Sequence, residues 1–344
     1  MATYKSIVGQ KIKKVTSDPS NPIEGQMWYN SSTGKLKVRL TVAAAFAAGG
    51  ALPIAMGRGG RSGTYTAALS HHGSYGPGPQ PNDNKTFEYD GSSWTQTGNC
   101  NQTMRVLGSS GSQTSAMAFN GALNPNNPNF PPAQSNKTES YNGSTWTNET
   151  NYPTNAQGST GCGASETSTL AFGGGVHPNP TPFVSTTTKS YNGSAWTAEP
   201  AMNIASYGAG GAGTETAALK SGRYTSVGPD TNQNEEFDGS SWTNVNASSN
   251  ARSNNFATGG PQTAAFSAGG YGPGSPSPKI AAAESYDGTN WATMANLGTP
   301  GERSGSSLQT PNANALVFGG GGPYTTAVEE FTAAFVGTET VTTS

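Results

Sequence analysis

Few residues of this 344-residue chain are of types that do chemistry. His71 and His72 are adjacent, and His177 stands alone. A redox or hydrolytic metal centre needs several ligands converging from different elements. One adjacent pair, in a Pro/Gly-rich stretch that reads as a loop with Tyr75 nearby, predicts no metal. Cys100 and Cys162 are too few for a disulfide framework and stand at non-matching places, so both read as unpaired. Gly208-Ala209-Gly210-Gly211-Ala212-Gly213 matches GxGxxG in letters. A dinucleotide site needs that turn to open a helix; here Thr214 to Leu219 reads as a strand, which argues against a cofactor. No carboxylate pair, Ser-His-Asp set or phosphate loop recurs at a useful spacing. The chain is therefore expected to be no enzyme, to hold no cofactor and to have no catalytic residues.

The elements that would position any site are repeats. Tyr89-Asp90-Gly91-Ser92-Ser93-Trp94 returns as variants ending in Trp146, Trp196, Trp242 and Trp291, at spacings of 52, 50, 46 and 49 residues. A period near fifty residues marks a repeat architecture. Asp-Gly or Asn-Gly supplies the positive φ of a tight hairpin turn, and the flanking aromatics suit a half-buried pleated surface. Asn replaces Asp in two copies, so the turn requires no carboxylate. About twenty residues after each Trp comes a short Ala-rich alternating strand, such as Glu166 to Gly174. Two inner strands and an outer hairpin make four strands per unit, the content of a propeller blade. Six inner segments predict six blades. Phe46 lies where a sixth Trp would, and Val328-Glu329-Glu330-Phe331 resembles half an outer hairpin, so the chain ends are expected to pair and close the ring. Phe46, Trp94, Trp146, Trp196, Trp242 and Trp291 are the expected anchors. Arg58, Arg61, Arg105, Arg252 and Arg303 recur at inner-segment starts and read as bridges between neighbouring blades.

Composition bounds the rest. The net charge of −2 gives no reason to expect nucleic-acid binding. Residues 1–40 hold seven Lys or Arg against Asp18 and Glu24, a net of +5 that leaves −7 for residues 41–344. The chain divides on this reading into a basic non-repeating segment, 1–40, and a propeller, 41–344. No signal peptide or transmembrane stretch stands out, so no membrane insertion is expected. Fourteen of the chain's 23 Pro fall in the loops between inner and outer hairpins. Tyr75, Phe130, Phe183, Tyr224 and Tyr271 are interspersed there as candidate partner-binding aromatics, because repeat scaffolds carry function on loops.

The blade plan resembles a kelch repeat. Asp18-Pro19-Ser20-Asn21-Pro22-Ile23-Glu24-Gly25-Gln26-Met27-Trp28-Tyr29-Asn30, followed by Thr33-Gly34-Lys35-Leu36-Lys37-Val38-Arg39, more specifically resembles the kelch-like virion proteins of tailed bacteriophages, particularly those infecting marine cyanobacteria. The resemblance implies an all-β, six-bladed kelch-like β-propeller with a short N-terminal attachment segment. It implies a structural virion protein, such as a tail-fibre or baseplate adhesin or a capsid decoration, assembled in the host cytoplasm in multiple copies per particle. Lys11, Lys13, Lys14, Trp28 and Tyr29 would attach it to other virion proteins. Propeller loops would meet a host-surface protein or glycan. The alternative is a carbohydrate-binding or carbohydrate-active propeller acting on the host surface.

Overall fold

The computed structural model describes residues 12–75, 83–123, 134–175, 184–224, 231–253, 257–273, 278–302, 305–320 and 323–341. Among them the fold is all-β; its one helical turn is the three-residue 3-10 segment Gln262–Ala264. Six four-stranded antiparallel sheets follow one another along the chain, an organisation consistent with a multi-bladed β-propeller. The second is representative. Gly108–Ser112, Ser115–Phe119, Thr138–Tyr141 and Trp146–Asn148 pair in order, with Gly111 opposite Ala116 and Tyr141 opposite Trp146.

The turn chemistry explains the outer hairpins. Asp90 Oδ1 accepts from the amides of Ser92 and Ser93, both at 2.8 Å, and Gly91 takes φ +93°. Asn142 Oδ1 accepts the equivalent bonds from Ser144 and Thr145, so the amide serves as well as the carboxylate. Each turn sets an aromatic opposite its Trp, with ring centroids 4.9 to 5.2 Å apart from Tyr89–Trp94 through Tyr286–Trp291.

The sixth sheet is made from two distant stretches. Gly305–Ser306, Asn314–Phe318 and Val328–Thr332 are completed by Ala45–Ala48 as the outermost strand. Phe46 packs on Phe331 with ring centroids 5.1 Å apart and planes tilted, so it occupies the place that Trp holds elsewhere.

The chain divides into two compact units, Phe46–Thr332 and a smaller one of Met1–Ala45 with Ala333–Ser344. The sequence places this boundary at 40/41 and assigns the C-terminal stretch to the propeller. The difference has a simple cause: Lys35–Val42 runs through the expected boundary and pairs from Lys37 to Val42 with Phe335–Thr340. Main-chain ladders of this kind leave no charge or periodicity signal. The small unit's sheet also holds Lys13–Val15, parallel to Met27–Asn30, which forms the expected hairpin with Lys35–Val42. Asp18 holds this unit together, accepting from Trp28 Nε1 at 2.9 Å and Asn30 Nδ2 at 2.8 Å while pairing with Lys37.

Candidate functional site

The expected anchors are structural. Trp94, Trp146 and Trp242 are buried; Trp196 and Trp291 are partly so. Each of three also packs on a Phe of another sheet: Trp94 on Phe318 of the sixth at 5.0 Å, and Trp196 on Phe119 at 5.2 Å and Trp242 on Phe172 at 5.1 Å, both of the preceding sheet. Trp242 Nε1 donates to Thr188 Oγ1 at 3.0 Å.

Of the arginines expected to bridge neighbouring sheets, Arg61 and Arg252 are buried. Arg252 is fully buried, pairs with Glu284 and donates to the carbonyls of Gly269 and Ala282. Arg61 Nη2 donates to Thr258 O at 3.2 Å. Burial without an acidic partner pushes its guanidinium down to about 9. Arg303 lies outside the described residues.

Antiparallel pairing puts the start of every innermost strand at the same end of its sheet as the loop that follows the second strand. That loop-bearing end of the Phe46–Thr332 unit gathers a polar aromatic set. Arg58 Nε lies 3.5 Å from Glu302 Oε1, whose carboxylate is buried and, after burial itself, is the main influence raising the Tyr271 phenol above its ordinary range. Tyr207, Tyr271 and Tyr324 all act electrostatically on Arg58. Burial is the largest single influence and acts to lower the Arg58 pKa, but Glu302 and the three tyrosines together outweigh it and the net shift is upward. Tyr207 and Tyr224 meet edge-on at 6.0 Å and bridge through their backbones. Arg58 adopts φ +59°, a conformation that is strained for a residue with a Cβ and concentrates at functional positions. Its carbonyl accepts from Val106 N, Val106 O from Gly158 N and Gly158 O from Gly208 N, all at 2.8 to 2.9 Å, so a main-chain chain of bonds underlies the set from sheet to sheet.

Of the loop aromatics, Tyr224 and Tyr271 join this set, and Tyr75 lies under Lys85 Nζ at 4.7 Å. Phe130 and Phe183 lie outside the described residues. Sequence reasoning missed Arg58, Tyr207, Glu302 and Tyr324 as a group, because their shared position shows only once the strands are paired. The opposite end is different in kind. A cavity of about 380 Å³ there is lined by main chain and by Ala164, Thr214, Pro261, Leu308 and Gln309, with no titratable group among them.

In the small unit Lys13 and Lys14 are exposed and line a shallow concavity with Asp18 and Ser31. Tyr29 is 38% exposed, whereas Trp28 is fully buried. The expectation that Trp28 faces a partner is thus corrected: the hydrogen bond to Asp18 turns its indole inward. Lys11 lies outside the described residues.

The histidine pair needs a second correction. His71 ends the strand Ala67–His71, and both rings are fully buried rather than in a loop. Cys100 Sγ lies 3.2 Å from His72 Nδ1, and both cysteines are free thiols, as expected. Burial, then the neighbouring His72, hold His71 well below its ordinary range. For His72, burial acts downward, but Cys100 and Glu139 outweigh it and raise it to about 10.

No family model and no curated protein matches this chain. Among solved structures it is similar to that of YjhT, with a TM-score of 0.63 over 84% of this chain and 99% of that chain, at 14% identity. At that identity the likeness speaks for the fold alone.

Proposed function

We propose that the protein is a non-enzymatic structural and binding protein of a tailed-phage virion. On this reading the unit of Met1–Ala45 with Ala333–Ser344 attaches to other virion proteins, and the six sheets form a closed six-bladed propeller that carries outward contacts. Closure is supported by three features: the innermost strands contact one another in succession with Gly305–Ser306 against Gly60–Thr64, Trp94 packs on Phe318, and Ala45–Ala48 completes the sixth sheet.

The observation that carries the attachment reading is the distribution of apolar surface. Among the described residues, the exposed large hydrophobics are Ile12, Ile23, Tyr29, Leu40, Val341 and Tyr224, and all but Tyr224 belong to the small unit. Apolar surface concentrated on one small unit beside exposed lysines is what a protein partner covers. Basic side chains would speed and orient docking, while apolar burial would hold it. The test is incorporation of full-length protein into particles lacking it. Ile23→Asp with Tyr29→Ser should fold as the parent does and fail to join; joining as well as the parent would refute the assignment.

The Arg58, Glu302 and tyrosine set favours a second reading for the outward face, recognition of a host-surface glycan. Tyrosine faces suit sugar rings, while Arg and Glu suit hydroxyls and carboxylates. A glycan array separates the two: binding that Tyr271→Ala abolishes supports the glycan, and no binding leaves the face to protein partners.

A further inference from the structure

The sheets allow a position-by-position comparison, because most of them close the same main-chain bonds. His72 N donates to Lys85 O, as Asn120 N does to Lys137 O, Gly173 N to Thr187 O and Gly319 N to Ala327 O. Cys100 N donates to Asn84 O, as Tyr152 N does to Asn136 O, Met202 N to Thr186 O and Leu297 N to Ala281 O. His71 directly precedes His72, so its counterparts are Phe119, Phe172 and Phe318. Elsewhere, then, these three places hold an aromatic or small residue, a Gly or Asn, and a mostly apolar residue. Only the first sheet has His, His and Cys, and it has all three at once.

The replacements are not neutral. His72 sits at φ +53°, where three of the sheets just compared have Gly or Asn, so its side chain is kept in a conformation that disfavours it. His71 takes the place of the Phe that packs on the next sheet's Trp and lies 4.8 Å from Trp146. All three side chains are buried. Buried polar groups are ordinarily each given a partner; here Cys100 Sγ has Thr86 Oγ1 at 3.4 Å, but it and His71 also converge on one atom. His72 Nδ1 faces both His71 Nδ1 at 2.9 Å and Cys100 Sγ at 3.2 Å. A ring nitrogen offers one proton or one lone pair, so it makes one good bond of the two. His71 Nε2 has no hydrogen-bond partner.

We propose that His71, His72 and Cys100 form a buried, structural site for a transition-metal cation of the Zn²⁺ class. One donor atom from each lies within 4.8 Å of the others. Bonds of about 2.0–2.3 Å in a tetrahedral arrangement would set two such nitrogens and a sulfur about 3.3–3.6 Å apart, so the widest pair would close by about 1 Å through side-chain rotation. Two imidazoles and a thiolate are the donor set of borderline-soft ions. Behind His72, Nε2 makes no hydrogen bond but lies 3.5 Å from Glu139 Oε2, near enough for a small ring movement to give the carboxylate partner that fixes the tautomer of a ligating histidine. Glu139 itself is a repeated structural feature: it accepts from Asn101 N, as Glu235 accepts from Asn203 N and Glu284 from Ser249 N. The Cys100 thiolate and the Glu139 carboxylate together carry the two negative charges that balance a divalent ion in a dry site. Binding displaces the thiol proton of Cys100 and any proton on His72 Nδ1 to solvent. The ion would tie the end of the strand Ala67–His71 to the segment that leads from the first sheet to the second.

The test is refolding of the full-length chain from denaturant with Zn²⁺ or Co²⁺, followed by desalting. One ion per chain is expected. The Co²⁺ form should show thiolate-to-metal charge-transfer absorption, and the melting temperature should rise over chain refolded with chelator. His71→Phe, His72→Gly and Cys100→Leu each install the residue of other sheets, so folding is preserved. Each should lower retained metal at least about tenfold, and Cys100→Leu should abolish the absorption. Wild-type protein that retains no stoichiometric ion, or variants that retain as much as wild type, would overturn the proposal.

Discussion

Trp242→Ala removes a ring that touches Phe172 at 5.1 Å and Phe237 at 5.2 Å and is about 6% exposed. Truncating a buried Trp to Ala costs about 3–5 kcal/mol, the spread reflecting how far the site collapses. Here collapse is limited, because both neighbours are held in strands of different sheets. Thr188 Oγ1 also loses its indole donor, which adds about 1 kcal/mol. The expected loss is therefore near the top of the range, about 4–6 kcal/mol. Trp242→Phe retains an aromatic ring and forfeits the hydrogen bond and part of the volume, so about 1–2 kcal/mol is expected. Trp196→Ala should cost less than Trp242→Ala, because Trp196 is only partly buried and its indole bonds to Thr150 O at an exposed position. The assay is urea unfolding followed by circular dichroism, with energies read from midpoint shifts at unchanged slope. A Trp242→Ala protein within about 0.5 kcal/mol of wild type would refute the packing argument. Equal losses for Trp242→Phe and Trp242→Ala would place the energy in the hydrogen bond instead.

Three further outcomes are expected. Deleting residues 41–48 should bare the edge of Val328–Thr332 and produce self-association together with lower melting, measured by light scattering and calorimetry; a monomer as stable as the parent would contradict ring closure. Burial holds Lys220 at about 8, below its usual 10.5, with Glu235 only partly opposing. The unfolded chain therefore binds the extra proton between those values, so this residue's contribution to stability is fully present above about 10.5 and falls as pH drops through about 8. The midpoint difference between wild type and Lys220→Met should grow in favour of wild type across that window, and a flat difference would contradict the assignment. Asp18 is lowered to about 2 by hydrogen bonds from Lys37, Trp28 and Asn30. Its contribution is present above the ordinary carboxylate range and lost as pH falls from about 4 to about 2. Amide exchange in Met27–Asn30 should rise in that window for wild type and already be raised in Asp18→Asn at neutral pH.

The Trp phrases made the four-stranded unit legible, because turn chemistry and aromatic pairing are both written in local sequence. Phe46 was legible by spacing alone. The pairing of Lys35–Val42 with Phe335–Thr340 was not, since it rests on backbone bonds between distant segments. The histidines misled for a related reason: a Pro-rich stretch follows them, whereas their burial is set by the sheet that precedes. Cys100 appeared unmatched because no residue type marks its place; only the bond to Asn84 O aligns it with Tyr152, Met202 and Leu297. Arg58 and Glu302 lie far apart in the chain, and no spacing rule brings them together.

The strand Ala45–Ala48 carries a consequence for biosynthesis. It leaves the ribosome about 280 residues ahead of Val328–Thr332, which at translation rates of about 5–20 residues per second is a wait of roughly 15–60 s. Throughout that interval five sheets can form in order, while this strand, the first made of the six sheets, has nothing to pair with. Its four residues are three alanines and one phenylalanine, a segment too short and too weakly apolar to recruit a stranger's edge. The nascent chain can thus keep its last strand waiting in the open, and a longer or more β-prone strand at this place would trade a firmer sheet for chains that join each other on the polysome.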